Sequence, residues 1–149
     1  MSDFSCRYDL SDAERLGEAI GAALIPGDVV LLSGDLGAGK TTLARAMLKA
    51  RGLAGEAPSP TFAIVQPYAP PEVDLAIAHV DLYRIEEASE LIELGLDEYL
   101  YDGALLIEWP ERLGAAGWPG ALVLTISGSG DARVLTADVP PAWEARWPL

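Results

Sequence analysis

The sequence predicts an α/β domain built on a mixed, largely parallel sheet. Three observations lead to this fold class. Short apolar runs alternate with helical patterns between residues 13 and 107, as in parallel strands joined by helices. A glycine-rich turn separates the first buried run from the helix after it. Residues 121–127 and 133–139 are joined by a Gly-Ser-Gly-Asp turn, which predicts a C-terminal antiparallel hairpin.

The N-terminal segment predicts a strand followed by a helix. Residues 4–10 mix apolar and polar positions, which suits a short edge strand. Ser11 and Glu14 fit a capping box, with Ser11 at the N-cap and Glu14 at the third helical position. Apolar residues then recur at helical spacing as far as Leu24, and the Pro26-Gly27-Asp28 turn ends the helix.

The central segment predicts the parallel part of the sheet. Residues 29–33 are apolar on both faces, which favours a strand covered on both sides. A helix is expected from Lys40 to about Arg51, and residues 86–101 indicate a helix that is broken at Gly95. The other expected elements are strands at 62–68, 76–80 and 104–107, a loop at 53–61 and a short helix at 110–113.

Residues 1–139 are expected to form one domain, and residues 140–149 a separate tail. A chain of 149 residues, half of them hydrophobic, has enough apolar material for one core. The tail carries two tryptophans and three prolines, so it is expected either to pack on the body or to fray. Cys6 is the only cysteine in the sequence, and we expect it to fill space rather than to react.

The charge balance argues against several classes of partner. The sequence holds 23 acidic and 10 basic residues, which gives a net charge of −13. Proteins that bind nucleic acids alone need basic surfaces to neutralise phosphates, so no direct binding of DNA, RNA or an anionic membrane is expected. No apolar run approaches the ~20 residues of a membrane span, and the N-terminus lacks a signal-peptide pattern. A cytoplasmic protein is therefore expected.

The strongest motif is a phosphate-binding loop between the first buried strand and its helix. It matches G-x-x-x-x-G-K-[ST] and comprises Gly34, Asp35, Leu36, Gly37, Ala38, Gly39, Lys40 and Thr41, with Thr42 next in the chain. The glycines allow backbone N–H groups to point inward around an anion, and the helix N-terminus adds its positive dipole. Lys40 is expected to reach the β- and γ-phosphates, and the Thr41 hydroxyl to ligate Mg²⁺.

Two acidic residues are candidates to complete this site. Asp81 follows the run Ile77–Val80, and Glu108 follows residues 104–107. Ligands of open α/β sheets bind beyond the carboxyl ends of strands, so either acid can face the nucleotide and its metal. Glu108 ends the more apolar strand and is assigned to Mg²⁺ or the attacking water, while Asp81 is assigned to a switch. Which acid ligates the metal directly stays open.

Other polar and aromatic residues near these strands have two interpretations each. His79 is the only histidine, and a structural role is favoured for it. Ser59 and Thr61 lie in a proline-flanked loop that is either an ordinary turn or a switch that senses the γ-phosphate. Trp109 either fills the core or walls the site against water.

Taken in order, these blocks resemble the TsaE (YjeE) family of small bacterial ATPases. The blocks are the phosphate loop, Ser59-Pro60-Thr61-Phe62, His79-Val80-Asp81-Leu82-Tyr83-Arg84 and Glu108-Trp109-Pro110-Glu111. The loop alone is shared by many nucleotide hydrolases, whereas the ordered set is specific, and the resemblance covers about residues 10–135. It implies a three-layer P-loop NTPase-like fold with a central mixed sheet.

The resemblance also implies a function and partners. Family members take part in forming N6-threonylcarbamoyladenosine at position 37 of tRNAs that read codons starting with A, together with TsaD and TsaB. By this resemblance residues 34–42 bind ATP or ADP, Thr41 and Glu108 hold Mg²⁺, and Asp81 is needed for ATPase function. An acidic ATPase that docks on TsaB–TsaD needs no basic patch for tRNA.

Two other functions remain open from the sequence. A small-molecule kinase shares the loop but usually needs an arginine-rich lid, which is not apparent here. A nucleotide-sensing module without useful hydrolysis is the second alternative. A GTPase is disfavoured because lysine occurs only at positions 40 and 49, so no Asn-Lys-x-Asp guanine motif exists.

Overall fold

In a computed structural model, one mixed sheet organises the chain. The structure describes residues 2–35, 37, 39–55, 64–114, 117–129 and 132–149. Their strands are β1 (Ser2–Asp9), β2 (Val29–Gly34), β3 (Val65–Tyr68), β4 (Ala76–Asp81), β5 (Gly103–Glu108), β6 (Leu122–Ser129) and β7 (Ala132–Val139). The helices are α1 (Ala13–Ala22), α2 (Lys40–Ala50), α3 (Ala88–Leu94) and α4 (Pro141–Glu144), with 3-10 turns at Leu10–Asp12, Leu96–Leu100 and Pro110–Leu113.

The strand order confirms the predicted fold class. The sheet runs β1-β7-β6-β2-β5-β4-β3. β6, β2, β5 and β4 are mutually parallel, and the antiparallel pairs lie outside them: β6–β7 and β7–β1 on one side and β4–β3 on the other. The glycine-rich turn leaves from β2, so it lies at the carboxyl edge of the parallel strands.

Each face of the sheet carries its own core, because side chains alternate between faces along a strand. Val30, Leu32 and Leu106 pack on the face that α1 and α2 cover. Leu31 and Ile107 pack on the other face, with residues of α3 and the 3-10 turn after it. Helical layers on both faces of one sheet make the three layers of the predicted architecture.

Two glycines hold α1 close against α2, the helix that begins at the phosphate loop. A Cβ on Gly17 would lie 2.5 Å from the Ala46 Cβ, and one on Gly21 would lie 2.6 Å from the Met47 backbone. Side chains at these positions would push the helices apart. The close contact therefore fixes the direction of α2 relative to the sheet.

The predicted capping box at the start of α1 is wrong. The helix begins at Ala13 after a 3-10 turn, and no side chain caps it. Asp9, at the end of β1, instead accepts hydrogen bonds from the Ser11 hydroxyl and from the Asp12 backbone N–H. The Ser11 hydroxyl is therefore bonded to Asp9 and does not cap the helix. Glu14, the other residue of the predicted box, forms an ion pair with Lys49.

The predicted break at Gly95 is confirmed. Gly95 ends α3 in the left-handed conformation, with φ of 59°, and a 3-10 turn follows it. A capping box does occur here, between Glu87 and Glu90.

None of the described helices is long and apolar enough to cross a membrane.

The last ten residues pack on the body. Trp143 is 1% exposed and belongs to the core under α1, and Arg146 donates two hydrogen bonds to Asp28. The domain boundary after residue 139 stays a prediction.

Candidate functional site

The loop after β2 has the backbone conformation that an anion site requires. Gly37 and Gly39 adopt φ of +81° and +108°, values that side chains disfavour, while Leu36 and Ala38 lie outside the described residues. A Cβ at either glycine would meet no described heavy atom within 4 Å, so the loop borders open space. The helix α2 begins directly at Lys40, which points its N-terminus at the loop.

Lys40 is held at the loop by neutral oxygen atoms and an aromatic ring. Its Nζ donates to the carbonyl oxygens of Gly34 at 2.5 Å and Asp35 at 3.0 Å, and lies 3.9 Å from the centre of the Trp109 ring. The residue is 5% exposed. Burial lowers the pKa of this ammonium group, and the charges of Glu108, Glu111 and Asp81 partly oppose that effect. A buried cation whose hydrogen-bond partners are neutral is suited to an incoming phosphate.

Glu108 connects the sheet to the loop. The carboxylate is 2% exposed at the end of β5, and the Thr41 hydroxyl lies 2.9 Å from its Oε1 and 3.0 Å from its Oε2. The imidazole Nε2 of His79 lies 2.6 Å from Oε2. The first turn of α2 and two neighbouring strands therefore meet at one carboxylate.

Asp81 lies beside Glu108 because the two strands are in register. Asp81 pairs with Glu108 in the parallel β4–β5 ladder. Burial is the main cause that raises the pKa of the Asp81 carboxyl, the Tyr83 N–H that it accepts at 2.9 Å opposes this, and the nearby Glu108 charge raises it further. Adjacent carboxylates of this kind are favourable when a cation comes between or beside them.

Trp109 forms one wall of the site. It is the only described non-glycine residue with a positive φ, at 59°, a conformation that costs about 1–3 kcal/mol and is concentrated at functional sites. Its ring lies over Lys40 and contacts the Tyr83 ring, with the ring centres 4.9 Å apart. Next to it, Glu111 accepts a hydrogen bond of 2.6 Å from the Ser33 hydroxyl.

These donors fit a nucleotide phosphate and Mg²⁺. A hydroxyl and carboxylates are the hard oxygen ligands that Mg²⁺ prefers, and it usually keeps several waters and phosphate oxygens as its other ligands. Thr41 and Glu108 are within hydrogen-bond distance of each other, so one ion can be held by both. Lys40 would supply the positive charge on the phosphate side.

The structure brings most of the predicted site residues together. Lys40, Thr41, Asp81, Glu108 and Trp109 meet at the carboxyl edge of the sheet. Thr42 lies next to this group, but its exposed side chain lines a cavity of about 460 Å³ with Arg45 and Lys49. Ser59 and Thr61 lie outside the described residues, so their switch role stays a prediction.

Sequence reasoning missed two contacts of the site. The first is the His79–Glu108 hydrogen bond. His79 and Asp81 are two residues apart and so share one face of β4, and Asp81 is the register partner of Glu108, so His79 also faces that carboxylate. The second is the Ser33–Glu111 bond, which joins the end of β2 to the turn after Trp109. Only the alternation of the strands and their register could have indicated these contacts.

Comparison with known proteins agrees with this geometry. The model of the family described as "TsaE: Threonylcarbamoyl adenosine biosynthesis protein TsaE" matches residues 8–134. The tRNA threonylcarbamoyladenosine biosynthesis protein TsaE of Bacillus subtilis is 36% identical over 121 residues, which are 80% of this chain and 74% of that protein. That of Mycobacterium tuberculosis is 40% identical over 111 residues, 70% of this chain and 66% of that protein, so the match spans slightly less than two thirds of its length.

The fold comparison covers nearly the whole chain. A crystal structure of Bacillus subtilis YdiB superposes with a TM-score of 0.77 and 29% sequence identity, over 98% of this chain and 92% of that one. The family model covers the loop, both strand-end acids and Trp109 in a single match. The chain belongs to the TsaE family of threonylcarbamoyladenosine biosynthesis proteins.

Proposed function

We propose that the chain is a Mg²⁺-dependent ATPase that acts on the TsaB–TsaD complex during N6-threonylcarbamoyladenosine formation at position 37 of tRNAs reading codons that begin with A. One observation carries the ATPase part. The Thr41 hydroxyl of the loop and the buried Glu108 carboxylate lie 2.9 Å apart, beside Lys40. The family membership carries the tRNA part, and the place of action in this proposal is the cytoplasm.

The residues of the chain divide the work of hydrolysis. Lys40 exchanges its carbonyl partners for phosphate oxygens, while Gly37 and Gly39 let backbone N–H groups surround the phosphates. Thr41 and Glu108 would hold Mg²⁺, which would neutralise negative charge on the phosphates of a bound nucleotide. In this proposal Glu108 also orients the attacking water molecule. The Trp109 and Tyr83 rings limit the access of bulk water to the γ-phosphate.

Asp81 is proposed to report the nucleotide state to a partner. Its carboxylate accepts the backbone N–H of Tyr83, whose ring contacts Trp109 and whose residue is 44% exposed. A change in the charge around Asp81 can therefore alter the position of Tyr83, two residues later, which lies at the surface. That surface is where we expect TsaB–TsaD to sense bound ATP.

The first experiment measures phosphate release with and without purified TsaB–TsaD. Hydrolysis by the chain alone should be slow, because a phosphate-loop site that works without an arginine finger lacks a contribution that is worth about 10³–10⁵ in rate in other phosphate-loop enzymes. Addition of the pair should change turnover. No hydrolysis under either condition, with ATP still bound, would favour the nucleotide-sensing module instead.

The second experiment compares nucleotides and nucleic acid. Calorimetry should give tighter binding of ATP and ADP than of GTP and GDP, because the guanine motif is missing. Lys40→Ala should weaken ATP binding, since the loop loses its mobile positive charge. A filter assay at physiological salt should retain no tRNA with the chain alone, given the net charge of −13.

A further inference from the structure

His79 lies in the interior of the sheet, one side chain behind the site. It occupies the fourth position of β4, its residue has no exposed surface, and its Nε2 lies 2.6 Å from Glu108 Oε2. Its other ring nitrogen, Nδ1, has no hydrogen-bond partner among the residues that the structure describes. Among the described residues, the ring therefore makes one directed polar contact, and that contact is with the carboxylate of the site.

The contact defines which ring nitrogen carries the proton. A carboxylate oxygen accepts, so Nε2 must donate to Oε2. A proton on Nδ1 would leave a buried donor without a partner, which costs more than an unpaired lone pair. The geometry thus favours the Nε2–H tautomer.

Packing alone does not account for an imidazole at this position. The neighbours of His79 on its own face of the sheet, Ile77 on β4 and Leu106 on β5, are buried and apolar, and a leucine side chain would fill the space without burying two nitrogen atoms. Among the contacts that the structure describes, only the hydrogen bond to Glu108 uses the polarity of the ring. The sequence favours a structural role for His79, and the contact assigns it a more specific one.

We infer that His79 is a positioning residue, which fixes the rotation of the Glu108 carboxylate so that it faces Thr41 and the phosphate loop. The carboxylate is held from two sides, by the Nε2–H of His79 on β4 and by the Thr41 hydroxyl on α2. If Thr41 were to bind a metal, His79 would remain as the contact that holds the carboxylate in place. This inference rests on the proposed function for the role of Glu108.

The kinetic test compares two variants of similar size. His79→Leu removes the donor and keeps an apolar filler, whereas the side-chain amide of His79→Gln can donate from nearly the position of Nε2. Loss of a residue that orients a ligand usually costs about 10–100-fold. We expect His79→Leu to lower kcat by that amount, with KM for ATP changed less than about threefold, and His79→Gln to recover most of kcat.

A second readout does not depend on activity. Because the chain has a single histidine, its ring gives one set of ¹⁵N–¹H signals that needs no assignment by mutation. In nucleotide-free and metal-free protein, Nε2 should be protonated and its proton protected from exchange with water. Glu108→Gln should shift that signal, and Glu111→Gln, on the neighbouring exposed acid, should leave it unchanged.

The outcomes separate this inference from the proposed function. Full kcat in a folded His79→Leu variant, equal losses in the folded leucine and glutamine variants, or protonation at Nδ1 alone would overturn the positioning role. If no hydrolysis is seen with the wild type, the proposed function fails, and the ¹⁵N signal decides the inference. If His79→Leu does not fold, His79→Gln and that signal decide it.

Discussion

The chain buries charged side chains at both edges of its parallel strands. The two edges differ in whether those charges are paired with opposite charges within the chain. At the amino edge, Asp28 precedes β2 and is 8% exposed. Both of its oxygen atoms accept from Arg146, at 2.6 and 2.7 Å, and Oδ2 also accepts the Ile25 N–H at 2.8 Å. Arg146 itself stacks on Trp143 at 3.9 Å. Every charge in this group has its partner within the chain.

At the carboxyl edge, the charges are close but not neutralised by one another. Among the described carboxylates, none has an oxygen atom within 4.0 Å of Lys40 Nζ, whose hydrogen bonds go to main-chain carbonyls. Asp81 and Glu108 lie side by side with like charge. The comparison teaches that the amino edge pairs its charges within the fold, whereas the carboxyl edge leaves Lys40 without a contacting carboxylate among the described residues, as the proposed phosphate and cation site would require.

The largest expected effect is on the amino edge. Trp143→Ala should lower the free energy of unfolding by about 3–5 kcal/mol, because it removes a large core side chain and the ring beneath Arg146. Denaturant titration measures this. Trp147→Ala is the control and should cost less, since its side chain is only half-buried. ATP affinity of the folded Trp143→Ala variant should be unchanged, and a selective loss of ATP binding would show that the two edges are not separate.

Glu108→Gln should have the next largest effect, on catalysis instead of stability. The substitution keeps shape and removes a charge, so hydrolysis should fall on the order of 10²-fold, or about 2.7 kcal/mol, while the fold and most ATP binding remain. Phosphate release under saturating ATP measures it. If this variant hydrolyses ATP normally while Asp81→Asn loses its Mg²⁺ dependence, the roles of the two acids must be exchanged.

Asp81→Asn and Asp28→Asn should change stability in opposite directions. The raised pKa of Asp81 means that its ionised form opposes folding, so Asp81→Asn should raise the free energy of unfolding at neutral pH, within the roughly 0.5–2 kcal/mol that single stabilising substitutions commonly give. Asp28→Asn should lose stability, because Arg146 loses its anionic partner. Thermal unfolding measures both.

The pH dependence checks the sign of the Asp81 effect. The wild-type folded state takes up the Asp81 proton before the unfolded state does, so its stability relative to Asp81→Asn rises as pH falls through the raised pKa toward the ordinary value of 3.8. The advantage of the variant should therefore shrink on acidification. An advantage that grows instead would mean that Asp81 is stabilised by ionisation.

In the reconstituted tRNA modification reaction, Asp81→Asn should impair product formation more than ATP binding.

The difference between the two edges also explains what the sequence could predict. The loop from Gly34 to Thr41 is a local motif with a fixed spacing, and Glu108 follows a uniformly apolar run, so both could be located by chain position. The Asp28–Arg146 pair joins residues 118 apart, and no local pattern indicates it. The capping box at Ser11 failed for a different reason, because one local pattern lost to another: the Ser11 hydroxyl donates to the Asp9 carboxylate two residues earlier and does not cap the helix.

The smallest expected effect concerns Trp109. Phenylalanine in its place keeps a ring over Lys40 but is the weaker cation–π partner, so Trp109→Phe should cost about 0.5–1 kcal/mol of stability. It should change ATP affinity by less than about fivefold, which is the same range of free energy.

The sharper readout is fluorescence, because Lys40 lies 3.9 Å from the Trp109 ring and must leave its carbonyl partners to reach a phosphate. ATP should therefore change the emission of the wild type, and Trp109→Phe should lose most of that change. Trp118→Phe is the matched control, since Trp118 belongs to the same core as Trp109 but lines a different cavity, beside Leu96 and Ile92, and it should keep the change. An undiminished signal in Trp109→Phe would mean that the emission change arises at another tryptophan, and the contact between Lys40 and the Trp109 ring would then not report the binding of ATP.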